Sequence, residues 1–225
     1  GQRYFVKFAG APTEQFGGDP ADAISRLKAT LPIYSDLKHE NLIELIEAKE
    51  IGDGFAMVFK WADSDCMGRM YPAAHRRFMQ LPINDRLAVF SDILSFLECV
   101  ASRKYVAIDF YDGSIMYDFA NGKTTICDID LFHKQPCVND MGRMWGSSRF
   151  QSPEEYQLGA DIDEITNVYT LGATAFALFG EYNRTREKWQ LSDKLFEIAT
   201  RAVSDDRTKR QQSIRQFTAE WEAAQ

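Results

Sequence analysis

The sequence has few of the side chains that bind zinc or form disulfides. Its 225 residues include four cysteines and three histidines. No two cysteines have C-x-x-C spacing, and the histidines are far apart along the chain, so a zinc site is not expected. We interpret the cysteines as reduced, partly buried thiols and expect a cytoplasmic protein.

Positively charged residues are fewer than negatively charged ones, and the sequence has no long apolar run. The chain carries 26 Lys and Arg against 33 Asp and Glu, a net charge of −7. Net negative charge disfavours binding to nucleic acid phosphates and to anionic lipid headgroups. No uninterrupted apolar run approaches the roughly 20 residues that a membrane span needs. We therefore expect neither nucleic acid nor a membrane as a partner.

Apolar residues make up 45% of the chain, which suffices for a core in one domain or two small lobes. Residues 1–62 indicate strands and one or two helices, with a strand at 3–8, a helix starting at Asp19-Pro20 and a hairpin around 51–54. Residues 63–225 indicate mainly helices, near 84–100, 162–179, 191–203 and 211–223. The pattern predicts an α+β fold in these two parts, with the boundary near the linker-like Asp63-Ser64-Asp65.

One hairpin is predicted inside the helical part. Asn121-Gly122 lies between two β-prone runs and favours a two-residue turn. Such a turn pairs Ala120 with Lys123 and puts Ser114 opposite Ile129. The hairpin then brings four carboxylates to one edge: Asp109, Asp112, Asp128 and Asp130.

The residues alone leave two interpretations of this acidic group open. The carboxylates are either solvated loop charges or part of a site for a divalent cation and a catalytic base. Oxygen ligands suit Mg²⁺ or Mn²⁺. Mutual repulsion also makes such a cluster costly without a cation.

The order and spacing of motifs along nearly the whole chain resemble the protein-kinase fold, specifically bacterial serine/threonine kinases of the eukaryotic-like type. In the first part, Tyr4-Phe5-Val6-Lys7 is similar to the strand with the ATP-binding lysine, and His39-Glu40-Asn41-Leu42-Ile43 to the turn after the regulatory helix. In the second part, Val106-Ala107-Ile108-Asp109 stands in place of H-R-D, and Ile126-Cys127-Asp128-Ile129-Asp130 in place of D-F-G. Further along, Ser152-Pro153-Glu154 is similar to A-P-E, and residues 206–210 are similar to the late D-P-x-x-R motif.

The resemblance implies a two-lobed fold with a small β-rich N-lobe and a larger helical C-lobe. It also implies ATP as co-substrate and Mg²⁺ or Mn²⁺ as cofactor. Lys7 would bind the phosphates, and Phe59, Lys60 and Trp61 would offer backbone groups to adenine. Asp109 would accept the proton of the substrate hydroxyl.

The remaining implied roles concern the metal and the fold. Asp128 matches the principal metal ligand, with Asp130 and Ser114 as secondary ligands. Glu154 and Arg210 match a structural ion pair of the family.

Several positions depart from the family pattern. No Glu lies near Thr30, where the partner of the lysine is expected, so Lys7 needs another partner. Ile108 replaces an Arg that binds phosphorylated activation loops, Tyr111 replaces a Lys, Ser114 replaces an Asn, and Asp130 replaces a Gly. No G-x-G-x-x-G occurs, so we expect a truncated N-lobe and a native chain that extends upstream.

Three functions follow from these patterns. The first is an ATP- and Mg²⁺-dependent serine/threonine protein kinase of unknown protein substrate, favoured by Lys7, Asp109 and Asp128. The second is a pseudokinase acting as a nucleotide-binding or interaction module, favoured by the missing Glu and by Ser114. The third is a small-molecule kinase of the aminoglycoside or choline type, which the Glu154 and Arg210 match disfavours.

Overall fold

Small antiparallel sheets and helices alternate along the chain in a computed structural model that describes residues 1–11 and 17–225. The strands are β1 (Tyr4–Ala9), β2 (Leu45–Ile51), β3 (Gly54–Lys60), β4 (Asp65–Cys66), β5 (Tyr105–Val106), β6 (Ile115–Asp118), β7 (Lys123–Ile126), β8 (His133–Lys134), β9 (Cys137–Val138) and β10 (Asp161–Ile162). The helices are α1 (Pro20–Ala29), α2 (Leu31–Asp36), α3 (Pro72–Met79), α4 (Ile83–Ser102), α5 (Glu164–Phe179), α6 (Asp193–Ala202) and α7 (Ile214–Glu222). The fold is therefore mixed α+β.

The first sheet has the order β1-β3-β2 and follows the sequence pattern closely. Its β2-β3 hairpin turns at Gly52, whose φ of +58° lies in the left-handed region that glycine enters without a steric penalty. Helix α1 starts where Asp19-Pro20 predicts, because the Asp19 side chain accepts a hydrogen bond from the Ala21 amide. Pro32 lies in the first turn of a separate helix, α2, where its missing amide hydrogen costs no helical hydrogen bond.

The acidic hairpin differs from its predicted register. Strands β6 and β7 pair Asp118 with Lys123 and Ile115 with Ile126, so four residues, not two, form the connection. The cause is the Asp118 carboxylate, which accepts hydrogen bonds from the Ala120 and Asn121 amides and widens the turn. Ser114 consequently lies opposite Cys127, whose amide donates to the Ser114 carbonyl over 2.9 Å, and not opposite Ile129.

The helices after Ser64 enclose an apolar core that supports the hairpin. Phe90 of α4 packs against Phe179 of α5 and Trp221 of α7, with ring centroids 5.7 and 4.6 Å apart. Burial of such aromatic side chains is the main favourable term in a core of this kind. Helix α3 has no counterpart in the sequence analysis.

The structure bears on the expectation about membrane spans but does not test the division into two parts. Within the described part of the chain, no helix has the length and apolarity required to cross a membrane. The division into 1–62 and 63–225 stays a prediction, and its first part includes residues 12–16, which lie outside the described residues.

Candidate functional site

Lys7 joins the first sheet to the segment after the acidic hairpin. Its Nζ lies 2.6 Å from Asp128 Oδ1 and 2.8 Å from Asp130 Oδ2. Burial works to lower the pKa of Lys7, but the charges of Asp130 and Asp128 outweigh it and leave the pKa raised. Lys7 is therefore a cation with two carboxylate partners, neither of which comes from a helix.

Asp109 lies in a constrained loop directly before the short 3₁₀ turn at Asp112–Ser114. Its φ of +60° and the φ of +57° at Asp128 are left-handed values that non-glycine residues rarely adopt. The side chain of Asn167 on α5 holds the loop, because it accepts from the Ala107 amide over 2.7 Å and donates to the Tyr105 carbonyl over 3.0 Å. Two predicted acidic residues thus share an unusual backbone conformation at one site.

The environment of Asp109 suits a proton acceptor near neutral pH. Burial raises the pKa of Asp109 to about 6, with a further contribution from the negative charge of Asp128. A carboxylate with a pKa slightly below the ambient pH is mostly ionised and still binds a proton readily.

Asp130 is held by two donors. Lys7 occupies its Oδ2, and the hydroxyl of Tyr34 on α2 donates to its Oδ1 over 2.8 Å. Burial first, and then the charge of Asp130, raises the pKa of Tyr34, so the phenol stays protonated. Asp128 is different, because Lys7 is its single side-chain donor among the described residues and 56% of its side chain is exposed.

Ser114, the further metal ligand that the resemblance implies, pairs through its backbone with Cys127, the residue before Asp128. The Ser114 hydroxyl is buried and has no hydrogen-bond partner among residues 1–11 and 17–225. A buried polar atom without a partner is costly, and a bound ligand or water would satisfy it. No cluster of three or more His, Cys, Asp or Glu side chains in these ranges has the spacing of a metal site. Mg²⁺ commonly uses one or two carboxylates and completes its coordination shell with water and phosphate oxygens. Asp128 and Ser114 therefore fit a magnesium ion.

The residues predicted to contact adenine have mixed surroundings. Phe59 is buried, and its ring lies 5.1 Å from that of Tyr34. The Lys60 amide already donates to the Glu44 carbonyl over 2.9 Å. Trp61 is partly exposed and donates from Nε1 to Asp63. Their role stays a prediction.

The fourth predicted acidic residue, Asp112, belongs to a separate network. It is buried and accepts two hydrogen bonds from Arg149, at 3.1 and 3.2 Å, and one from Tyr182, at 2.5 Å. Burial, followed by Asp112, raises the pKa of Tyr182. The network fixes the segment that contains Arg149 to the loop that contains Asp109.

Glu154 and Arg210 form the ion pair that the sequence predicts. Arg210 donates to both Glu154 oxygens over 2.7 and 2.9 Å, and both side chains are almost fully buried. Burial opposes ionisation of Glu154, but the hydrogen bonds and charge of Arg210 hold its pKa below the usual value. A bidentate arrangement of this kind is both strong and geometrically specific.

The structure adds three side chains that the sequence analysis did not assign to the site: Tyr34, Asn167 and Arg149. A signal existed for Asn167, since it is polar within the strongly apolar α5. Tyr34 and Arg149 carried no local signal, because their partners are 96 and 37 residues away in sequence.

A scan against protein-family models gives no match to this chain, and neither does a search of curated proteins.

Proposed function

We propose that the chain is an ATP- and Mg²⁺-dependent phosphotransferase, and specifically a serine/threonine protein kinase. The observation that carries the proposal is the bridge from Lys7 to Asp128 and Asp130, with the Asp109 carboxylate near enough for Asp128 to affect its pKa. Phosphoryl transfer needs a cation that binds phosphate, a carboxylate that binds the metal and a base that accepts the hydroxyl proton. Lys7, Asp128 and Asp109 would supply these three groups.

The proposal includes a two-lobed arrangement like that of protein kinases. The β1-β3-β2 sheet with α1 and α2 would form the small lobe, and the helices after residue 63 would form the large one. Lys7 on the first and Asp128 after β7 would then meet across an interlobe cleft. Adenine would bind along residues 59–61 at the connection.

Each residue has a distinct role in the reaction. Lys7 would bind phosphate oxygens and Asp128 would hold Mg²⁺, with Ser114 and Asp130 as the further ligands that the sequence predicts. When bound, Mg²⁺ supplies positive charge against the phosphate oxygens. The substrate hydroxyl oxygen forms a bond to the γ-phosphorus while the bond from that phosphorus to the leaving oxygen of ADP breaks. The hydroxyl proton passes to Asp109.

The protein-kinase branch is favoured over a small-molecule kinase by the buried pair of Glu154 and Arg210, which ties the end of the 128–154 segment to the loop before α7. A nucleotide-binding module without transfer is the second candidate. It is favoured by Ser114, which stands where the family has a metal-binding asparagine, and by Tyr111 in place of a phosphate-binding lysine.

A transfer assay with γ-labelled ATP and Mg²⁺ tests the proposal, using generic protein substrates alongside aminoglycosides and choline. Label is expected in protein with the parent chain and with the control Asp205→Asn, an exposed carboxylate far along the sequence. Transfer is expected to fall at least about 10²-fold in Asp109→Asn. Label in a small molecule would support the other kinase branch. Nucleotide binding without any transfer would support the module.

A further inference from the structure

Among residues 1–11 and 17–225, the lysine of the proposed phosphate site has no carboxylate partner on a helix, and its partners are Asp128 and Asp130 instead. Lys7 Nζ reaches Asp130 at 2.8 Å, two residues beyond Asp128 and 123 residues from Lys7 in sequence. The position near Thr30 is not involved, since the Thr30 hydroxyl donates to the Leu27 carbonyl over 2.8 Å.

The two carboxylates beside Lys7 are not equivalent. Both oxygens of Asp130 have protein donors, from Lys7 and from Tyr34, and 26% of its side chain is exposed. Asp128 has one oxygen engaged and 56% of its side chain exposed. A cation ligand needs an accessible oxygen, whereas an anchor for lysine needs a fixed one.

Tyr34 connects this anchor to α2. Its ring is buried and packs on Phe59, so the hydroxyl is held in place by both the helix and the sheet. Ile129, between the two acidic residues, is fully buried and fixes the backbone from which both project.

We propose that Asp130 is a positioning residue that orients Lys7 toward nucleotide phosphates, that Tyr34 holds Asp130, and that Asp128 alone of the pair serves the cation. This inference rests on the proposed function. It gives Asp130 the role that a helix glutamate has in the family that the sequence resembles, and replaces its predicted role as a secondary metal ligand.

The test is ADP affinity, measured by calorimetric titration in EDTA and again in excess Mg²⁺. Because Asp130 acts through Lys7, Asp130→Asn should weaken ADP binding about tenfold in EDTA, the effect of one charge-assisted hydrogen bond. Tyr34→Phe should also weaken ADP binding in EDTA, but by a smaller factor. Asp128→Asn should have its main effect only in Mg²⁺.

A double-mutant cycle with Lys7→Met separates positioning from general damage to the fold. Asp130→Asn should cause no further loss when Lys7 is already absent, and Tyr34→Phe should behave likewise. An equal loss in both backgrounds would overturn the proposal in favour of a structural role. A loss that occurs only with Mg²⁺ would overturn it in favour of metal ligation.

Failure of this inference is distinguishable from failure of the proposed function. A parent chain that binds ADP, with an Asp130→Asn variant of equal affinity in EDTA, overturns the positioning role alone. A folded parent chain that binds no ADP in either condition overturns both. Thermal unfolding of each variant checks that it is folded. If Asp130→Asn does not fold, the ADP affinity of Tyr34→Phe is used to test the proposal instead.

Discussion

Asp109 combines a left-handed backbone with a half-buried carboxylate whose pKa is about 6. If it accepts the substrate proton, Asp109→Asn should keep ADP affinity and lower kcat by at least about 10²-fold, the usual contribution of a general base. Steady-state kinetics with the Asp205→Asn control would measure this. Equal turnover in variant and parent would remove Asp109 from the reaction.

The raised pKa of Asp109 also predicts a pH-dependent effect on stability. Between about pH 4 and 6 the folded carboxyl holds more proton than the unfolded one, so the free energy of unfolding falls as pH rises through this window. Asp109→Asn should therefore be more stable than the parent above pH 6, with a smaller difference below pH 4. Chemical denaturation in EDTA at several pH values measures it. A variant that is less stable at pH 8 would contradict the argument.

Ser114 has a buried hydroxyl that makes no hydrogen bond within the described part of the chain. Removing an unsatisfied polar atom avoids its desolvation cost, so Ser114→Ala should keep or slightly raise stability without metal. If the hydroxyl helps to bind Mg²⁺, the same variant should weaken ADP binding in Mg²⁺ and leave it unchanged in EDTA. Calorimetry under both conditions would decide, and an equal effect in both would exclude the metal role.

Among the connecting segments, the one from Asp128 to Glu154 is attached to the turn at Asp112 through Arg149, without a phosphate. The Arg149 guanidinium is already neutralised by the buried Asp112, and Ile108 offers no charge to a phosphorylated side chain. Phosphatase treatment of active protein should therefore leave the rate unchanged. Mass spectrometry would verify the state of Ser147 and Ser148 before and after treatment, and a large loss of rate would mean that a phosphate orders the segment.

At the scale of the whole molecule, the pair of Glu154 and Arg210 connects distant parts of the chain inside the core. Breaking a buried ion pair leaves an uncompensated charge, so Glu154→Gln should cost about 3–5 kcal/mol of unfolding free energy. The matched control is the adjacent buried Glu155, whose pKa burial raises to about 7. Glu155→Gln should cost much less at neutral pH, because glutamine keeps an acceptor for Ser152. Urea denaturation compares the two.

The Glu154 variant should also change the response to acid. The pKa of Glu154 is lowered in the folded state, so its stabilising effect is complete above the unfolded pKa and is lost as pH falls through the folded one. The gap between parent and Glu154→Gln should narrow in acid. A gap that stays constant to low pH would show that lost packing, and not the lost charge, is responsible.

Features that depend on neighbouring residues could be predicted from the amino-acid sequence alone. Asp19-Pro20 specifies the start of α1 and Gly52 permits the first hairpin, because caps and turns use local backbone groups. Apolar periodicity likewise located α4 and α5. The motif order also pointed to Glu154 and Arg210 as an ion pair, although that inference depended on resemblance.

The assembly of the candidate site, in contrast, depends on contacts between elements that are far apart in sequence. Lys7 meets Asp128 across 121 residues, Tyr34 meets Asp130 across 96, and Asn167 reaches the Asp109 loop across about 60. The sequence predicted the wrong hairpin register because Asp118 offered its own acceptor to the turn amides. No local pattern encodes such contacts, because each partner's position depends on how separate elements pack.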